Sequence, residues 1–392
     1  MIPLMKNPFH REAATRQALA QFVMSSDRLS MGQKCEGFEA VFAQYQGCKM
    51  AVLFNSGGSA NLALLQALKN LGLLQDGDLI GFSALTWSTN VMPILQLNMT
   101  PVPVDISRYT LNSMSIHLRE RLDEAPLRAF FTTNALGFAG DLENIQTVTR
   151  ERDILLLEDN CESLGTELPA GKAGNFGFAS TFSFYVAHHM STIEGGMVCT
   201  DDPALAEMLR IVRANGWDRN LTAGQQQEWR TRHDIQGEFQ AKYTFYDLGY
   251  NLRPTEITGF LGLSQLPFVA ESNRRREQIY LALEEHVREN PDLVLLDHSH
   301  IKLLSNFAFP VICRSEELRD QYLKRFEQAD IEVRPVIAGN MQMQPFFRKY
   351  VITSFSLPEA DFIHHCGFYC GNYPELTDED LLVIASCLKK AV

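Results

Sequence analysis

Acidic residues follow an apolar run at a position where a carboxylate could support catalysis. The run Ile154–Leu157 leads directly into Glu158 and Asp159, and Glu162 follows three residues later. A carboxylate at the end of a buried strand can keep a pyridine nitrogen protonated, which makes a pyridoxal-type cofactor an effective electron acceptor. The alternative is structural, because Asp is also a common helix N-cap. The spacing alone leaves both interpretations open.

A second segment places glycine and serine after another apolar run. Gly57, Gly58 and Ser59 follow the run that ends at Phe54, and an Ala- and Leu-rich stretch with helical spacing comes next. Glycines let backbone N–H groups approach an anion closely, and a helix N-terminus adds partial positive charge. The segment predicts a phosphate-binding turn, with a plain turn as the alternative.

A third segment holds a candidate proton-transfer group. Ser183 is followed by His188 and then by His189. An imidazole, with an ordinary pKa of about 6.5, suits proton transfer at neutral pH. We interpret His188 as the base and His189 as structural, because adjacent residues on a regular element point in different directions. The alternative is that both histidines are structural.

In their order and spacing these three segments resemble the sugar aminotransferases of the DegT/DnrJ/EryC1/StrS family. The segment Phe82–Asn90, which contains Trp87, is similar to the family segment that stacks an aromatic ring on the cofactor. The resemblance runs from about Leu29 to Gly339 and so covers most of the chain. It implies the aspartate-aminotransferase fold, fold type I of the pyridoxal-phosphate enzymes. That fold has a large α/β domain with a mostly parallel sheet and a smaller α+β C-terminal domain.

His188 stands where the family aminotransferases carry their Schiff-base lysine, and no lysine occurs between Lys172 and Lys242. An imidazole cannot form that stable covalent link, although it can still move protons. The chain therefore resembles the histidine-bearing 3-dehydratase branch of the family. Another histidine-bearing branch holds an iron–sulfur cluster with closely spaced cysteines, whereas no cysteine lies between Cys199 and Cys313. We expect no iron–sulfur cluster.

The resemblance implies a specific reaction. The working cofactor would be pyridoxamine 5'-phosphate, interconverting with pyridoxal 5'-phosphate and not bound to a lysine. The substrate would be a nucleotide-linked 4-keto-6-deoxy sugar, with GDP-4-keto-6-deoxy-D-mannose favoured, and it would lose its C3 hydroxyl. L-Glutamate would re-aminate the cofactor, and His188 would serve both half-reactions. The run Gly249–Pro254 also resembles this branch, which acts in deoxysugar pathways to colitose and lipopolysaccharide O-antigen.

The resemblance also assigns roles around the cofactor. Asp159 would pair with the pyridine nitrogen, Trp87 would stack on the ring, and Glu162 would lie near the ring hydroxyl. The cofactor phosphate would be bound by Gly57, Gly58, Ser59 and Ser183.

Further residues are implied at the edges of the site. Asn251 resembles a family residue that reaches the cofactor phosphate of the neighbouring subunit, which implies a homodimer with shared active sites. The chain departs from the branch at Asn215, where we expect a histidine. Candidates for binding the substrate diphosphate or the glutamate carboxylate are Arg219, Arg253 and Arg334.

Two other functions fit the same fold. One is a pyridoxal-phosphate-dependent nucleotide-sugar aminotransferase, which the missing lysine opposes. The other is a catalytically silent sugar-nucleotide binding protein, which the presence of Asp159, Glu162 and Ser183 opposes. Fold alone does not decide among them.

The elements that must position these residues alternate between strand and helix. Short apolar runs predict buried strands at Met50–Phe54, Asp78–Phe82, Pro101–Val104, Leu127–Thr132 and Ile154–Leu157. Helical spacing predicts helices at Ser59–Leu71, Thr89–Gln96 and Leu142–Arg152. This rhythm indicates a mostly parallel sheet, whose strand C-terminal ends are the usual place for an active site.

The remaining chain divides near residue 255. Pro203–Arg213 predicts a helix packed on the sheet, and the polar stretch Leu221–Lys242 predicts a loop near the entrance. A helical pattern from Pro254 to about Glu289 opens the smaller domain. We predict a large cofactor-binding domain at 1–255 and a small C-terminal domain at 256–392.

Composition excludes several classes of partner. A formal net charge of −12 opposes binding to a nucleic-acid backbone, which draws its affinity from Lys and Arg. Without a signal-like start or an apolar run of membrane-spanning length, we expect a cytoplasmic protein that does not enter membranes. We predict no metal site, because the cluster of His364, His365, Cys366 and Cys370 lacks a second ligand pair at zinc-site spacing.

Overall fold

The computed structural model describes residues 1–390. Its strands are β1 Met50–Phe54, β2 Leu79–Ser83, β3 Thr100–Val104, β4 Ala129–Thr133, β5 Leu155–Asp159, β6 Glu167–Leu168, β7 Gly171–Lys172, β8 Ala179–Ser183, β9 Gly196–Thr200, β10 Ala308–Ile312, β11 Val333–Pro335 and β12 Gly367–Gly371. The helices that precede β10 are α1 Glu12–Ser25, α2 Gln33–Gln46, α3 Gly57–Asn70, α4 Met92–Gln96, α5 Ser115–Glu124, α6 Leu142–Glu151, α7 Pro203–Arg213, α8 Ala223–Arg232, α9 Glu238–Ala241, α10 Glu256–Gln265 and α11 Val269–Arg288. Those that follow β10 are α12 Glu316–Gln328, α13 Pro345–Tyr350, α14 Pro358–Cys366 and α15 Asp378–Cys387.

Seven strands form the central sheet, in the order β1-β9-β8-β5-β4-β2-β3. Strand β9 runs antiparallel to both of its neighbours, whereas the other pairings in this sheet are parallel. The carboxyl ends of β1, β8, β5, β4 and β2 therefore meet along one edge. Of the sequence-predicted strands, β1 has the predicted bounds, and the other four differ by one to two residues at an end.

Both faces of the sheet are covered, because successive residues of a strand point to opposite sides. Phe131 and Leu157 pack with α3 and α7 on one face, while their neighbours Phe130 and Leu156 pack with α6 on the other. Near β8 and β9, a third apolar cluster includes Phe38 of α2. Burial on both faces explains why these strands are continuous apolar runs.

The C-terminal part is a smaller α+β layer. Strands β10, β12 and β11 form an antiparallel sheet in that order, and helices α11, α12, α14 and α15 supply apolar residues to the core beside it. Residues from loops of the large sheet, among them Leu85 and Phe138, belong to the same core. The two sheets are thus joined by continuous packing. The predicted boundary near residue 255 stays a prediction.

Three predictions of secondary structure, one loop and two helices, need correction. The polar stretch 221–242 is not a loop, because it contains α8 and the short α9. Helix α8 begins with a capping box between Thr222 and Gln225. Because α8 buries only Trp229, it lacks the apolar stripe that pattern analysis detects. The helical pattern after Pro254 is divided into α10 and α11 by a 3₁₀ turn that contains Pro267. The predicted helix 89–96 begins with a 3₁₀ turn, and only Met92–Gln96 is α-helical.

Candidate active site

The predicted cofactor residues converge on the carboxyl edge of the large sheet. Asp159 ends β5 and Ser183 ends β8, and these strands are adjacent and parallel. Gly57 follows β1, which points the same way because β9 is antiparallel to both β1 and β8. The chain order of these residues is scattered, and the sheet topology is what brings them together.

Asp159 is held by neutral hydrogen-bond donors. The side-chain amides of Asn61 on α3 and Asn90 after β2 donate to its Oδ2 at 3.1 and 2.7 Å. The backbone N–H of Cys161 donates to its Oδ1 at 2.8 Å. These donors orient the carboxylate without neutralising it, and only 4% of the residue is exposed. The helix-cap interpretation is wrong, because the chain continues from Asp159 as turns to β6.

The glycine turn forms the N-terminus of α3 against Ser183. The N-cap hydroxyl of Ser56 accepts the Ser59 N–H at 3.1 Å, which leaves the N–H groups of Gly57 and Gly58 at the open end of the helix. A Cβ at Gly57 would lie 2.7 Å from the Cβ of Ser183, so only glycine allows this approach. Two N–H groups, the helix dipole and nearby serine hydroxyls make this turn suitable for an anion.

His188 lies in the loop between β8 and β9, edge-on to two aromatic rings. Its ring centroid is 5.3 Å from that of Phe307 and 5.9 Å from that of Tyr185. Burial lowers the pKa of His188 to about 4, and the positive charge of Arg276 acts in the same direction. Hydrogen bonding with the backbone of Ser183 and the charge of Asp159 oppose this shift. The imidazole is therefore neutral at pH 7 and can accept a proton.

Glu162 is a second titratable group beside Asp159. Its Oε2 accepts the backbone N–H of Leu136 at 3.0 Å. Burial raises the pKa of Glu162 to about 7, the negative charge of Asp159 raises it further, and the Leu136 hydrogen bond opposes both. Close to neutral pH, this carboxyl group can either donate or accept a proton.

Two other predicted cofactor residues lie near the same edge. Trp87 is 55% exposed and begins the 3₁₀ turn in which Asn90 binds Asp159. Asn251 is exposed, and its Oδ1 accepts a hydrogen bond from Arg253 at 3.2 Å. The segment that contains it borders the glycine turn, because the Asn55 N–H donates to the Leu252 carbonyl at 3.1 Å.

The three candidate arginines lie in different places. Arg334 on β11 pairs with Glu332 and lies opposite Tyr369 of β12. Burial raises the pKa of Tyr369, the charge of Glu162 raises it further and the charge of Arg334 lowers it. Arg253 contacts Asn251. Arg219 packs over the ring of Trp217 at 5.3 Å, and within residues 1–390 the structure gives it no contact with the residues around Asp159.

The lysine nearest to His188 in the sequence is directed away from this edge. The Nζ of Lys172, the lysine that precedes His188, donates to the carbonyl of Tyr45 and lies over that ring. All eight cysteines are free thiols. Across residues 1–390, no group of three or more His, Cys, Asp or Glu side chains is arranged to hold a metal ion. No helix in the same range is both long and apolar enough to cross a membrane.

The chain matches a known protein family over nearly its whole length. Residues 10–389 match the model of the DegT/DnrJ/EryC1/StrS aminotransferase family. The chain belongs to this family. This match confirms the family resemblance inferred from the sequence. It also makes the protein a member of a pyridoxal-phosphate-dependent family.

Named relatives in the DegT/DnrJ/EryC1/StrS family include sugar 3-dehydratases. GDP-4-keto-6-deoxy-D-mannose 3-dehydratase of Yersinia pseudotuberculosis is 32% identical over 379 residues, which are 94% of each chain. A structure of GDP-4-keto-6-deoxymannose-3-dehydratase with a trapped PLP–glutamate geminal diamine superposes with a TM-score of 0.90, at 29% identity over 99% of this chain and 100% of that one. A histidine-to-asparagine variant of that enzyme with bound GDP-perosamine gives 0.89 at 28% identity, with the same coverage. The predicted fold is confirmed.

The site of this family member fits the cofactor of the family. A buried carboxylate with neutral partners can pair with a protonated pyridine nitrogen. The open N–H groups of α3 can hold a phosphate. The Nδ1 atom of His188 is buried and has no hydrogen-bond partner within residues 1–390. The carboxylate has no cationic partner among its hydrogen-bond donors, and the Nδ1 atom of His188 is free to bind a group that the protein does not supply.

Sequence analysis missed four residues of the site. Asn61 and Asn90 orient Asp159, and Phe307 and Arg276 act on His188. Asn61 lies four residues after Gly57, so helical spacing could have placed it on the same face of α3. Phe307 and Arg276 gave no such signal, because they come from distant parts of the chain.

Proposed function

We propose that the protein is a pyridoxamine-phosphate- and pyridoxal-phosphate-dependent 3-dehydratase that removes the C3 hydroxyl of a nucleotide-linked 4-keto-6-deoxy sugar. One observation carries the proposal: the imidazole of His188 stands where the family aminotransferases have a lysine, and its buried Nδ1 has no hydrogen-bond partner within residues 1–390. Such a group can move a proton but cannot hold the cofactor covalently. The cofactor is therefore not lysine-bound and can work in its amine form.

When bound, pyridoxamine phosphate supplies an amine that condenses with the C4 ketone and a ring that accepts electrons. The protein supplies the proton chemistry around it. Asp159 would pair with the pyridine nitrogen and keep it protonated, and Glu162 would lie near the ring hydroxyl, where its pKa of about 7 would allow it to share a proton. His188 accepts a proton at its imidazole, and general-base catalysis of this kind contributes about 10²–10⁴-fold.

The remaining cofactor contacts follow from the glycine turn. The N–H groups of Gly57 and Gly58 and the hydroxyls of Ser59 and Ser183 would bind the phosphate. Trp87, exposed after β2, would stack on the ring. Without a covalent link, these contacts alone determine how tightly the cofactor is held.

GDP-4-keto-6-deoxy-D-mannose is the favoured substrate, and L-glutamate is the amino donor. Two relatives support the GDP-linked substrate, because one is named as a GDP-sugar 3-dehydratase and another structure contains GDP-perosamine. A third structure contains a PLP–glutamate adduct, which supports glutamate as the amino donor. Arg219, Arg253 and Arg334 are the candidates for binding the substrate diphosphate or the glutamate carboxylate. The product fits a pathway to colitose and O-antigen.

A homodimer with shared sites would cover an exposed apolar region. The exposed side chains of Phe239, Tyr243, Phe245 and Leu248 lie in the segment before Asn251. Burying such side chains is a usual driving force for association. In the dimer, Asn251 would reach the cofactor phosphate of the second subunit. We place the protein in the cytoplasm, where free thiols such as its eight cysteines persist.

Atom balance separates the dehydratase from an aminotransferase. Removing the C3 oxygen while keeping the C4 ketone requires two electrons, which glutamate provides as it becomes 2-oxoglutarate. The amino nitrogen then leaves as ammonia. We expect one ammonia and one 2-oxoglutarate for each deoxy sugar, whereas an aminotransferase keeps the nitrogen in the sugar and a silent binder forms no 2-oxoglutarate.

The test is a panel of GDP-, dTDP-, CDP- and UDP-linked 4-keto-6-deoxy sugars with glutamate and cofactor. We expect ammonia release with the GDP sugar and, after dialysis, loss of the cofactor absorbance. Formation of 2-oxoglutarate without ammonia, or a cofactor that survives dialysis and is fixed by borohydride, would refute the proposal.

A further inference from the structure

Phe307 lies between the candidate base and the small-domain sheet. Its ring plane makes an angle of 86° with that of His188, at a centroid distance of 5.3 Å. Its ring also packs against Tyr369 of β12, at 6.1 Å. The other ring beside His188, that of Tyr185, is 45% exposed and so is less restrained. Phe307 is therefore the firmer of the two aromatic contacts of the base.

The backbone that carries Phe307 is fixed from several directions. Three buried side chains donate to successive carbonyls, namely His189 to Ser305 at 2.8 Å, Asn372 to Asn306 at 3.3 Å and Arg276 to Phe307 at 3.2 Å. A Cβ at Gly137 would lie 2.0 Å from the Ser305 carbonyl oxygen, so a glycine is needed there. A segment with this many restraints holds its side chain in one position.

His189 is a neutral hydrogen-bond donor in this arrangement. Burial and the charge of Arg276 hold its pKa well below the usual range. A neutral imidazole carries one N–H, and a carbonyl can only accept, so the hydrogen must lie on Nε2. The unprotonated Nδ1 has no partner among the residues described. His189 therefore ties the chain at His188 directly to the segment of Phe307.

We propose that Phe307 is a positioning residue for His188 and that the His189–Ser305 hydrogen bond keeps its ring in place. The proposal builds on the proposed proton-transfer role of His188. The ring restricts rotation of the imidazole and limits the water that reaches it. Proton transfer is sensitive to such placement, because an error of 1 Å in a reacting group can cost about 10²-fold in rate.

The first test compares Phe307→Leu with Phe309→Leu, using histidine ¹H–¹⁵N spectra of the cofactor-free protein. Phe309 is also buried and lies two residues further on, but its ring packs on Tyr280. The groups that act on the charge of His188 are Asp159, Arg276 and His189. Because none of them changes, we expect the titration midpoint of His188 to rise from about 4 by about one unit only in Phe307→Leu, as water returns to the ring.

An unchanged midpoint in Phe307→Leu, or an equal shift in Phe309→Leu, would overturn the proposal. This spectrum needs neither cofactor nor sugar, so it gives an answer even if the proposed reaction is wrong. In the holoenzyme, kcat for Phe307→Leu should fall by about 10–10²-fold with little change in KM. A rise in KM at constant kcat would also contradict a positioning role.

The second test concerns His189. In His189→Gln the side-chain amide can replace the Nε2 donor to Ser305, whereas His189→Leu removes the donor and leaves a buried carbonyl without a partner. We expect the Gln variant to retain the His188 midpoint and the kcat, and the Leu variant to reproduce the effects of Phe307→Leu. Equal behaviour of the two variants would show that the hydrogen bond does not position the base.

Discussion

A histidine at position 188 removes the amine that would bind the cofactor covalently but keeps a group that can transfer protons. Lysine both anchors the cofactor and moves protons, whereas imidazole retains only the second ability. Burial lowers the pKa of His188 to about 4, which keeps the ring neutral at pH 7. The side chain of Asp159 accepts hydrogen bonds from the neutral amides of Asn61 and Asn90. In the proposed mechanism, His188 is the base and Asp159 controls the electron acceptor.

We predict that His188→Asn abolishes both sugar dehydration and glutamate half-transamination while the fold and cofactor affinity change little. The amide can hydrogen-bond but cannot accept a proton at neutral pH, so each rate should fall by about 10²–10⁴-fold. Single-turnover spectra of each half-reaction measure this loss. His365→Asn, at an exposed position in the small domain, is the control. More than about a tenth of the wild-type rate in either reaction would remove His188 from the mechanism.

Asp159→Asn should reduce turnover far more than stability. A neutral amide no longer favours a protonated pyridine, so we expect a loss of about 10²–10³-fold in kcat. The free energy of unfolding should change by only about 1–2 kcal/mol, because the new side-chain NH₂ replaces one carboxylate oxygen and the N–H group that donated to this oxygen loses its acceptor. Turnover per folded molecule, combined with thermal unfolding, checks this. A variant that unfolds but keeps full activity in its folded fraction would indicate a purely structural Asp159.

At the scale of elements, the site depends on where strands end. Strands β5 and β8 deliver Asp159 and Ser183 to one edge, and α3 begins there with Gly57 against Ser183. Helix α3 also carries Asn61 to Asp159, so one helix serves both the predicted phosphate turn and the carboxylate. A shift of this helix would disturb both ends of a bound cofactor.

Gly57→Ala tests this close approach. The added methyl group meets the Ser183 side chain, and overpacking of this kind costs about 1–3 kcal/mol. We expect a lower melting temperature and weaker binding of pyridoxal phosphate, measured by fluorescence titration. Gly224→Ala on α8 is the matched control, because nothing lies within 4 Å of its added Cβ. Wild-type cofactor affinity in Gly57→Ala would argue against a phosphate site at this turn.

The local sequence pattern predicted those strands whose residues are apolar on both faces of the sheet. The end of β1 at Phe54 followed from such a run, as did the end of β5 to within two residues. Strand β8 was not predicted because Ala179–Ser183 contains Ser and Thr and is therefore not a continuous apolar run, although all of its residues are buried. Helix α8 was missed because it depends on a capping box and not on an apolar stripe.

From the local sequence pattern alone, candidate site residues could be predicted where they follow a strand or begin a helix. Asp159 and Gly57 have such positions. By contrast, the contact of Phe307 with His188 and the bond from His189 to Ser305 join distant parts of the chain. Such contacts depend on how the small-domain segment packs on the large sheet, which single-sequence periodicity does not contain.

At the scale of the whole molecule, the core joins both sheets around the site. Loops of the large sheet share an apolar cluster with β10, β12 and α11. Glu162 lies where this packing removes water, which is why its pKa is raised. A carboxyl group whose pKa is raised on folding contributes its full stability at a pH below its pKa in the unfolded chain, which is 4.5 for Glu162. That stability is lost as the pH rises through the pKa in the folded protein, which is about 7.

Glu162→Gln should therefore stabilise the cofactor-free protein at about pH 8 and leave it unchanged at about pH 4. The amide oxygen can still accept the Leu136 N–H, but it cannot ionise. Thermal unfolding across this pH range is the measurement, with the exposed Glu228→Gln as control. A stability difference that is independent of pH would mean that Glu162 does not titrate near neutrality in the folded protein.

The most direct test of the proposed function is the mass of the sugar product. The wild-type protein is incubated with pyridoxal phosphate, L-glutamate and GDP-4-keto-6-deoxy-D-mannose, and the GDP-linked products are identified by mass spectrometry. We predict a product that is lighter than the substrate by one oxygen atom and contains no additional nitrogen. A product that keeps the C3 oxygen and carries an amino group at C4 would contradict the account and identify an aminotransferase.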